Sequence, residues 1–480
     1  MIPRNGLCDG MSTDTLANDL SALIGEGKVA FAPADLAAHS GDKWFAAHSP
    51  EVVVFAETTA DVAAVLQLAY ARKIPVTARG AGVGYVGGCV PVGGGIALSL
   101  ARMNRIKEIN VMDGVAVVEP GVITGDLQAE VRRCGWFYPP DPASLKECSL
   151  GGNIATNAGG PKCLKYGVTR QYVLGLEVVL ADGTVVRAGG RCHKNKTGFD
   201  LVGLFVGSEG MLGVVTEATL RLIPHPPARA GLTASFGSFA EAAAAVQAVF
   251  QSGHLPAALE ISDKFTIAAA RRRLGAAALP PGEVLLMLEV DGQAEAVALE
   301  AVALARVLNG CGALAVVPAP DEAAVERLWA QRREFSYSLR DTGLTKLNED
   351  VVVPRGRLVE LVVFCEQLQA ETGIAIACFG HAGDGNIHVN LMVGDMADPA
   401  VSGPAERALD RLFRFVIGMG GAITGEHGVG LAKRRWFPEA VSPGALVLHH
   451  RLKRALDPAG LLNPGKFLDE PGPEAESCRA

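Results

Sequence analysis

Two histidines flank a strong turn signal in the stretch G-H-A-G-D-G-N-I-H-V-N, residues 380–390. Asp384-Gly385 between two apolar runs is typical of a two-residue β-hairpin loop. Such a loop would place His381 directly opposite His388 at a Cβ separation of about 5 Å, with Asn390 further along the same face. The hairpin is therefore either one side of a divalent-metal site or a solvated turn with two ordinary polar residues.

A second stretch suited to chemistry is G-E-H-G at residues 425–428. Glu426 offers a hard oxygen ligand, and with His381 and His388 it would complete a His₂Glu set. This donor set occurs in zinc sites that keep one coordination position open. His427 is either a further ligand or a general base. The alternative is that Glu426 and His427 only stabilise a glycine-rich loop.

Three glycine-rich clusters predict a ligand that lies against the backbone. Residues 82–87 match G-x-G-x-x-G, but glycine and proline follow instead of a helix, so we reject a Rossmann NAD site. The free N–H groups of this loop, with Arg79 at its entrance, suit a pyrophosphate bound in an amide nest. A second cluster covers 139–160 and a third covers 207–210. A mobile surface loop is the alternative, but three clusters in one region favour a site for a flat ring and a phosphate chain.

The elements that must position these residues follow from apolar spacing. A β-α-β unit is predicted over 52–77, an irregular loop over 138–160, and a domain boundary at the prolines of 224–227. Beyond it, alanine-rich helices alternate with strands, which predicts helices on one face of a mostly antiparallel sheet. Further predicted strands are 96–100, 115–119, 174–180, 214–223, 284–290, 313–318 and 374–379. Predicted helices are 12–24, 124–134, 239–251, 293–309, 321–339, 405–419 and 446–456.

Composition narrows the class of protein. A chain of 480 residues predicts two or three domains, and a net charge of −7 without a basic block argues against nucleic-acid binding. The ten cysteines form no C-x-x-C pair, which disfavours an internal iron–sulfur cluster, a zinc ribbon or an attached haem. Without an apolar signal core or a run of about 20 apolar residues, the chain is expected to be cytoplasmic and to lack a transmembrane segment.

Many of these motifs resemble one family of flavoproteins. From about residue 50 to 468 the chain resembles the vanillyl-alcohol oxidase / p-cresol methylhydroxylase superfamily. Within it, the resemblance is to FAD-linked D-2-hydroxyacid dehydrogenases: the glycolate oxidase FAD subunit, D-lactate dehydrogenase and D-2-hydroxyglutarate dehydrogenase. Val83 and Met211 stand where that family usually has Thr. The motifs are R-G-A-G-V-G-Y-V-G-G (79–88), P-P-D-P (139–142), L-G-G-N-I-A-T-N-A-G-G (150–160), K-Y-G-V-T (165–169), L-G-L-E-V-V-L-A-D-G (174–183), K-N-K-T-G-F-D-L (194–201), G-S-E-G-M-L-G (207–213), H-A-G-D-G-N-I-H (381–388), G-E-H-G (425–428) and L-N-P-G-K (462–466).

The resemblance implies an α+β fold with a two-part FAD-binding domain of the p-cresol methylhydroxylase type. A second α+β domain, with an antiparallel sheet, would bind the substrate and the metal. The implied divisions are an N-terminal helical segment at 1–48, the FAD domain at 49–226, the substrate domain at 227–430, and a tail at 431–480 that returns to the FAD site. Since no histidine lies in 79–95, the FAD is expected to be non-covalent.

The resemblance also assigns residues to the cofactor. The implied FAD contacts are Arg79, Gly80, Ala81, Gly82, Val83, Gly84, Gly87, Gly88, Pro140, Asp141, Pro142, Ser149, Leu150, Gly151, Gly152, Asn153, Asn157, Ala158, Gly159, Gly160, Tyr166, Gly167, Glu209, Gly210, Gly213, Val214 and Asn463.

The implied reaction is oxidation of a D-2-hydroxy acid to a 2-oxo acid by hydride transfer to flavin N5. His381, His388 and Glu426 would hold Zn²⁺, or Mn²⁺ or Co²⁺, and His427 would be the base. The segment L-W-A-Q-R at 328–332 points to Arg332 as the residue that binds the substrate carboxylate, although the adjacent Arg333 could take this role instead. Lys346 and Asn390 are further implied substrate contacts.

The implied partners are a small 2-hydroxy acid and a separate electron acceptor. The acceptor would be an iron–sulfur subunit, an electron-transfer flavoprotein, a cytochrome or a quinone, and the chain would form a homodimer or join an oxidase complex. Two alternatives remain: a redox-neutral FAD enzyme of the alkyl-glycerone-phosphate synthase type, and a non-catalytic flavin subunit.

Overall fold

The structure is a computed structural model and describes residues 12–468. The outer parts of the predicted segments 1–48 and 431–480 therefore lie outside the described residues. The first helix begins after Ser12, whose side chain accepts a hydrogen bond from Thr15 N, as expected for a helix cap. Among the described residues, no helix is both long and apolar enough to cross a bilayer.

Residues 13–224 form two main sheets with flanking helices. The strands are β1 Val29–Ala30, β2 Val52–Phe55, β3 Val76–Arg79, β4 Ile96–Ser99, β5 Ile106–Asn110, β6 Val115–Val118, β7 Trp136–Phe137, β8 Val173–Val179, β9 Val185–Gly189, β10 Val214–Arg221 and β11 Ile223–Pro224. The helices are α1 Thr13–Ile24, α2 Pro33–Ala38, α3 Thr59–Arg72, α4 Thr124–Arg133, α5 Leu150–Thr156, α6 Cys163–Tyr166 and α7 Leu201–Phe205.

The first sheet has the order β1-β2-β4-β3, with β4 parallel to both of its neighbours. The second has the order β5-β6-β10-β8-β9 and is antiparallel. Helix α3 is capped at Thr58, which exchanges hydrogen bonds with Asp61, and its apolar face packs in the core of the first sheet. The two-part architecture expected for this region is confirmed.

Two local predictions in this region were wrong. The segment 138–160 is not all loop, because it contains α5, which Ser149 caps by accepting from Gly152 N. Gly151 within α5 lies against Pro120, where a Cβ would come within 2.6 Å of the proline Cβ. The glycine thus serves close packing, and packing outweighs its low helix propensity. Strand β5 was missed because its sequence, I-K-E-I-N, is polar along a sheet edge.

Residues 228–456 form one antiparallel sheet and its helices. The strands are β12 Ala228–Phe236, β13 Ala258–Ser262, β14 Val284–Gly292, β15 Ala315–Ala319, β16 Thr345–Val352, β17 Ala375–His381 and β18 Asn386–Val393. The helices are α8 Phe239–Gln251, α9 Lys264–Leu274, α10 Ala294–Gly310, α11 Glu322–Arg340, α12 Leu358–Thr372, α13 Pro399–Gly418, α14 Phe437–Ala440 and α15 Pro443–Leu456. The strand order is β15-β12-β14-β13-β17-β18-β16.

Helices cover both faces of this sheet, not the single face expected. On β14, Leu286 and Leu288 pack in a core shared with α8, α10, α12 and α13, while Leu285 and Met287 pack against α9 and α11. Strand β14 is apolar at almost every position, which is the pattern of a strand buried on both sides. The antiparallel sheet of the second part is confirmed.

The chain then returns to its first half. After α15, Val76 N donates to Leu461 O, and Asn463 N donates to Val76 O, so the tail lies beside β3. Asn463 and Lys466 reach carbonyl oxygens of the first glycine loop, at Gly88 and Val90 respectively. The tail therefore lies where the family resemblance implied.

Candidate active site

The hairpin β17-β18 has a longer loop than its turn signal predicted. His381 pairs with Asn386, and Phe379 pairs with His388, so the loop covers 382–385. The predicted direct pairing of His381 with His388 was wrong by two positions. A shift of two residues preserves the sheet face, because side chains alternate with a period of two. The two imidazoles are therefore diagonal neighbours with ring centroids 5.5 Å apart.

Polar side chains form a stripe across the α9 and α11 face of the sheet. Glu260 pairs with His381 across β13 and β17, and Asp350 pairs with His388 across β16 and β18. The residues that alternate with them, such as Ile261 and Val351, enter the core on the opposite face. One face of four neighbouring strands therefore carries the polar groups of the site.

His381, His388 and Glu426 converge as predicted. One ligand atom from each lies within 4.8 Å of the other two. Glu426 Oε1 is 3.7 Å from His381 Nε2 and 3.5 Å from His388 Nε2. The buried Nε2 atom of His381 has no hydrogen-bond partner among the described residues. A divalent cation with nitrogen and oxygen ligands fits this arrangement.

Glu260, which the sequence reasoning missed, fixes the orientation of His381. Its carboxylate accepts a hydrogen bond from His381 Nδ1, which directs Nε2 towards Glu426. Burial raises the pKa of Glu260, but the charges of His381 and Arg332 outweigh it and lower this pKa to about 2. A carboxylate behind a histidine ligand sets its tautomer and raises its basicity. The only signal in the sequence was a lone charge within the apolar strand A-L-E-I-S.

The two histidines differ in their charge. Burial is the main cause that lowers the pKa of His388 to about 3, so this imidazole is neutral and available as a ligand. Burial also disfavours charge on His381, but Glu260 and Glu426 outweigh it and raise its pKa well above the usual value. A cation bound at Nε2 would take the place of the proton that these carboxylates favour.

The loop at 424–430 carries Glu426 and His427 and is held by Asp350. One oxygen of Asp350 accepts from Gly425 N, Glu426 N and His427 N at 2.8, 2.9 and 3.0 Å. Asp350 has no exposed surface, and it lies 4.0 Å from His427 Nδ1. Sequence reasoning missed this residue because its partners are about 75 positions away.

His427 lies between the two halves of the protein. Its ring stacks on His388 with centroids 5.6 Å apart and contacts Tyr85 of the first glycine loop at 5.4 Å. Its Nε2 atom faces Glu426 Oε1 at 3.8 Å. The predicted base is therefore next to the candidate metal ligands and on the wall of the cavity.

The predicted carboxylate-binding residues also line the cavity, but they have different partners. Arg332 donates from Nε and Nη2 to Glu260, at 2.8 and 2.6 Å, and so supports the metal site. Lys346 Nζ donates to the neutral hydroxyl of Ser336 at 2.8 Å. Burial, followed by Arg340 and Arg332, lowers the pKa of Lys346 to about 8. Arg333 lines the same cavity.

Asn390 is the substrate residue that the structure does not place at the cavity. It is fully buried, and its Nδ2 donates to the carbonyl oxygens of Ala377 and His388. The residue lies on the expected face of β18, but β16 and β17 enclose it, so it supports the hairpin from within.

A cavity of about 1060 Å³ runs between the glycine clusters and the polar stripe. Its size is at the upper end of the range for small-molecule and cofactor sites, which is roughly 300–1,000 Å³. The predicted cofactor residues that line it are Arg79, Gly80, Ala81, Gly82, Val83, Gly84, Gly88, Asp141, Pro142, Ser149, Gly151, Gly152, Asn153, Ala158, Gly159, Glu209, Gly210, Gly213 and Val214.

Eight predicted cofactor residues stand behind the wall: Gly87, Pro140, Leu150, Asn157, Gly160, Tyr166, Gly167 and Asn463. Their contacts explain this position. Leu150 is fully buried in the core, Asn157 ends α5 in a left-handed conformation, and the Tyr166 hydroxyl donates to Asp291. These residues shape the glycine loops from outside.

Two wall residues have side chains that hydrogen-bond to other segments of the chain. The Arg79 guanidinium donates to the carbonyl oxygens of Gly41 and Ala38 in the N-terminal segment. The Glu209 carboxylate accepts from Val429 N and Gly430 N. The backbone groups of both residues stay predicted cofactor contacts.

The fold and the site together define a class of protein: a two-domain flavoenzyme. Residues 50–189 match the FAD binding domain family, and residues 225–467 match the family of FAD linked oxidases, C-terminal domain. The solved structure of p-cresol methylhydroxylase with bound substrate has a TM-score of 0.80 at 20% identity, over 97% of this chain and 98% of that chain. An alkyldihydroxyacetonephosphate synthase structure has a TM-score of 0.73 at 18% identity, over 97% and 87%. At these identities the likeness shows the fold.

Curated relatives specify the family further. The glycolate oxidase subunit GlcD of Bacillus subtilis is 37% identical over 87% of this chain and 89% of its own length. A D-lactate dehydrogenase of Anaerostipes hadrus is 36% identical over 87% and 89%. The chain belongs to the FAD-linked oxidoreductases of the glycolate oxidase and D-lactate dehydrogenase type.

Proposed function

We propose that the protein oxidises a D-2-hydroxy acid, of the D-lactate, glycolate or D-2-hydroxyglutarate class, to the 2-oxo acid. The observation that carries this proposal is the grouping of His381, His388 and Glu426 beside His427 on the wall of the flavin cavity. Bound FAD supplies a hydride acceptor, and a divalent cation, Zn²⁺ or else Mn²⁺ or Co²⁺, supplies a Lewis acid.

The residues that line the cavity suit both the divalent cation and FAD. The unpartnered Nε2 of His381 and the neutral imidazole of His388 suit a cation of borderline softness. The cavity wall is built from glycine and other small residues, which let a large planar cofactor approach the backbone.

His427 is the proton acceptor in this proposal. Its Nε2 atom, which faces Glu426, takes the proton from the substrate hydroxyl. The buried carboxylate of Asp350, 4.0 Å from Nδ1, stabilises the imidazolium that results. Tyr85 and His388 pack against the ring and keep its plane fixed.

Lys346 and Arg332 orient the substrate by its carboxylate. Arg332 is anchored to Glu260, while Lys346 keeps donors free beyond its bond to Ser336. Two cations on one wall select an anionic substrate and hold C2 towards the flavin. Since the chain has no C-x-x-C pair for its own cluster, we propose that a separate protein or a quinone receives the electrons.

Anaerobic mixing of the FAD- and zinc-loaded protein with single 2-hydroxy acids tests the proposal. D-lactate, L-lactate, glycolate and D-2-hydroxyglutarate are compared by stopped-flow absorbance of the flavin. We expect at least one D-acid or glycolate to bleach the flavin and to yield one 2-oxo acid per flavin. If none of the four reduces the flavin, the proposal is wrong.

A further inference from the structure

Two buried carboxylates bind consecutive backbone amides of the loop that carries Glu426 and His427. Asp350 accepts from the amides of residues 425, 426 and 427 and from the hydroxyl of Thr424 at 2.8 Å. Glu209 accepts from Val429 N at 2.7 Å and from Gly430 N at 2.8 Å, one on each oxygen. The loop at 424–430 is thus held along nearly its whole length.

The two carboxylates come from different halves of the protein. Asp350 lies on β16 and is directly paired with His388. Glu209 lies in the turn that precedes β10, within residues 13–224, which we call the flavin half. Asp350 has no exposed surface and Glu209 is 8% exposed. Charge-assisted hydrogen bonds of this kind are about twice as strong as neutral ones.

We propose that Asp350 and Glu209 are positioning residues that fix the loop between the two halves. Asp350 fixes the distance of Glu426 and His427 from His388. Glu209 fixes the position of the same loop relative to the flavin cavity. The roles given to Glu426 and His427 rest on the proposed function. The positioning itself rests on the hydrogen bonds.

The backbone conformations of Glu209 and Gly428 support this positioning role. Glu209 has a φ of +50°, a left-handed conformation that residues other than glycine rarely adopt. Gly428 has a φ of +87°, and a Cβ there would lie 2.9 Å from Glu209 Oε1. A glycine at 428 therefore lets the Glu209 carboxylate come close to the loop. Strained residues of this kind persist only where surrounding contacts hold them.

Amide variants test the two carboxylates, because Asn or Gln keeps the size but removes the negative charge that strengthens the hydrogen bonds. In Glu209→Gln an NH₂ group would also face one of the two backbone N–H groups, since each Glu209 oxygen accepts from one of them. The variants are Asp350→Asn and Glu209→Gln. The matched controls are Asp263→Asn, whose carboxylate accepts from Thr266 N and Cys378 N, and Glu177→Gln, a buried carboxylate of the flavin half. The side chains of both control residues have their hydrogen-bond partners outside the loop.

The first readouts need no substrate. In FAD-loaded protein, hydrogen–deuterium exchange of the peptide that covers 424–430 should speed up in Asp350→Asn and Glu209→Gln, and in neither control. Chelator competition should show zinc affinity about 10–100-fold lower in Asp350→Asn, as for other groups that orient metal ligands. Flavin stoichiometry should remain at the level of the unaltered protein.

Glu209→Gln should affect flavin reduction but not metal binding. Its zinc affinity should stay close to that of the unaltered protein, while the rate of flavin reduction by a 2-hydroxy acid falls. Thr424→Val removes the hydroxyl that donates to Asp350 and accepts from Gly428 N, but it keeps the carboxylate. It therefore tests how the Asp350 side of the loop is held if Asp350→Asn does not fold. It should lower zinc affinity by less than Asp350→Asn.

The inference is overturned if loop exchange and zinc affinity in Asp350→Asn and Thr424→Val equal those of Asp263→Asn. It is also overturned if exchange and flavin reduction in Glu209→Gln equal those of Glu177→Gln. If no 2-hydroxy acid reduces the unaltered protein, the proposed function fails, but exchange and zinc affinity still decide the positioning role.

Discussion

Lys346 has an unusual position for a lysine, because it is partly buried and its hydrogen bond goes to a neutral hydroxyl. Charged groups in such places are costly unless they are paired. An anionic substrate would supply the missing charge. The arginine beside it, Arg332, already has a carboxylate partner in Glu260. At the scale of single residues, the lysine therefore has the stronger need for a ligand.

The pH dependence of substrate capture tests this role. Lys346 has a pKa lowered to about 8, so it is a cation below that pH and neutral above it. We expect kcat/KM to fall as the pH rises through about 8, since kcat/KM reports groups of the free enzyme. Lys346→Arg, which stays charged, should move this fall to higher pH. A fall at the same pH in Lys346→Arg would contradict the assignment.

His427→Gln removes the proposed proton acceptor while keeping a polar side chain. We expect the rate of flavin reduction to fall about 10²–10⁴-fold, the usual contribution of a general base. Flavin and zinc contents, measured by absorbance and metal analysis, should be unchanged. His254→Gln, at a partly exposed histidine that pairs with Glu300, is the control. Unchanged reduction in His427→Gln would show that His427 is not the proton acceptor.

At the scale of elements, the sheet places the metal ligands. Strands β13, β17, β18 and β16 are neighbours, so their alternate residues form one polar stripe. Glu260 lies next to His381 in this stripe and connects it to Arg332 on α11. Helix α11 and the proposed metal ligand His381 thereby share one carboxylate.

Glu260→Gln should weaken the metal site without removing any ligand. We expect a zinc affinity about 10–100-fold lower, because Gln orients His381 less firmly than a carboxylate does. Chelator competition measures this affinity. The control is Ser262→Ala, two residues along the same buried strand. Equal zinc affinities in the two variants would show that Glu260 does not support the ligand.

At the scale of the whole molecule, the C-terminal tail joins both ends of the flavin site. Asn463 Nδ2 donates to Gly88 O at 2.9 Å and to Glu209 O at 2.6 Å. It thereby connects the first and third glycine clusters from behind the cavity wall. The tail makes these contacts although Asn463 is 375 residues from Gly88 and 254 residues from Glu209 in the chain.

Asn463→Asp keeps the shape of this side chain but removes both donors. We expect weaker FAD retention, seen as a higher dissociation constant in fluorescence titration of the apoprotein, while zinc affinity is retained. The control is Asn309→Asp on α10, where the Asn309 side chain donates to Ala305 O. FAD affinity equal to that of the control would show that the tail does not stabilise the cofactor site.

Local patterns were sufficient for much of the site. The ligand set of His381, His388 and Glu426 followed from a hairpin signal and a glycine-flanked pair, and these side chains converge. The predicted pairing of His381 with His388 was wrong by two positions, but a shift of two positions keeps both histidines on one face of the sheet. Many helices and strands followed from apolar periodicity, but β12, β13 and β16 were not predicted. The glycine clusters indicated the cavity wall.

Other features were decided only by the tertiary structure. Glu260 and Asp350 are single charges in apolar strands, and nothing local shows that their partners lie at His381 and in the loop at 424–430. Arg79 and Glu209 have side chains that bind distant segments of the chain. The types of the reacting residues are thus determined by the sequence itself, because turns and alternation are short-range properties. Their orientation depends on pairings between strands and loops that are distant in the chain, which form only in the folded protein.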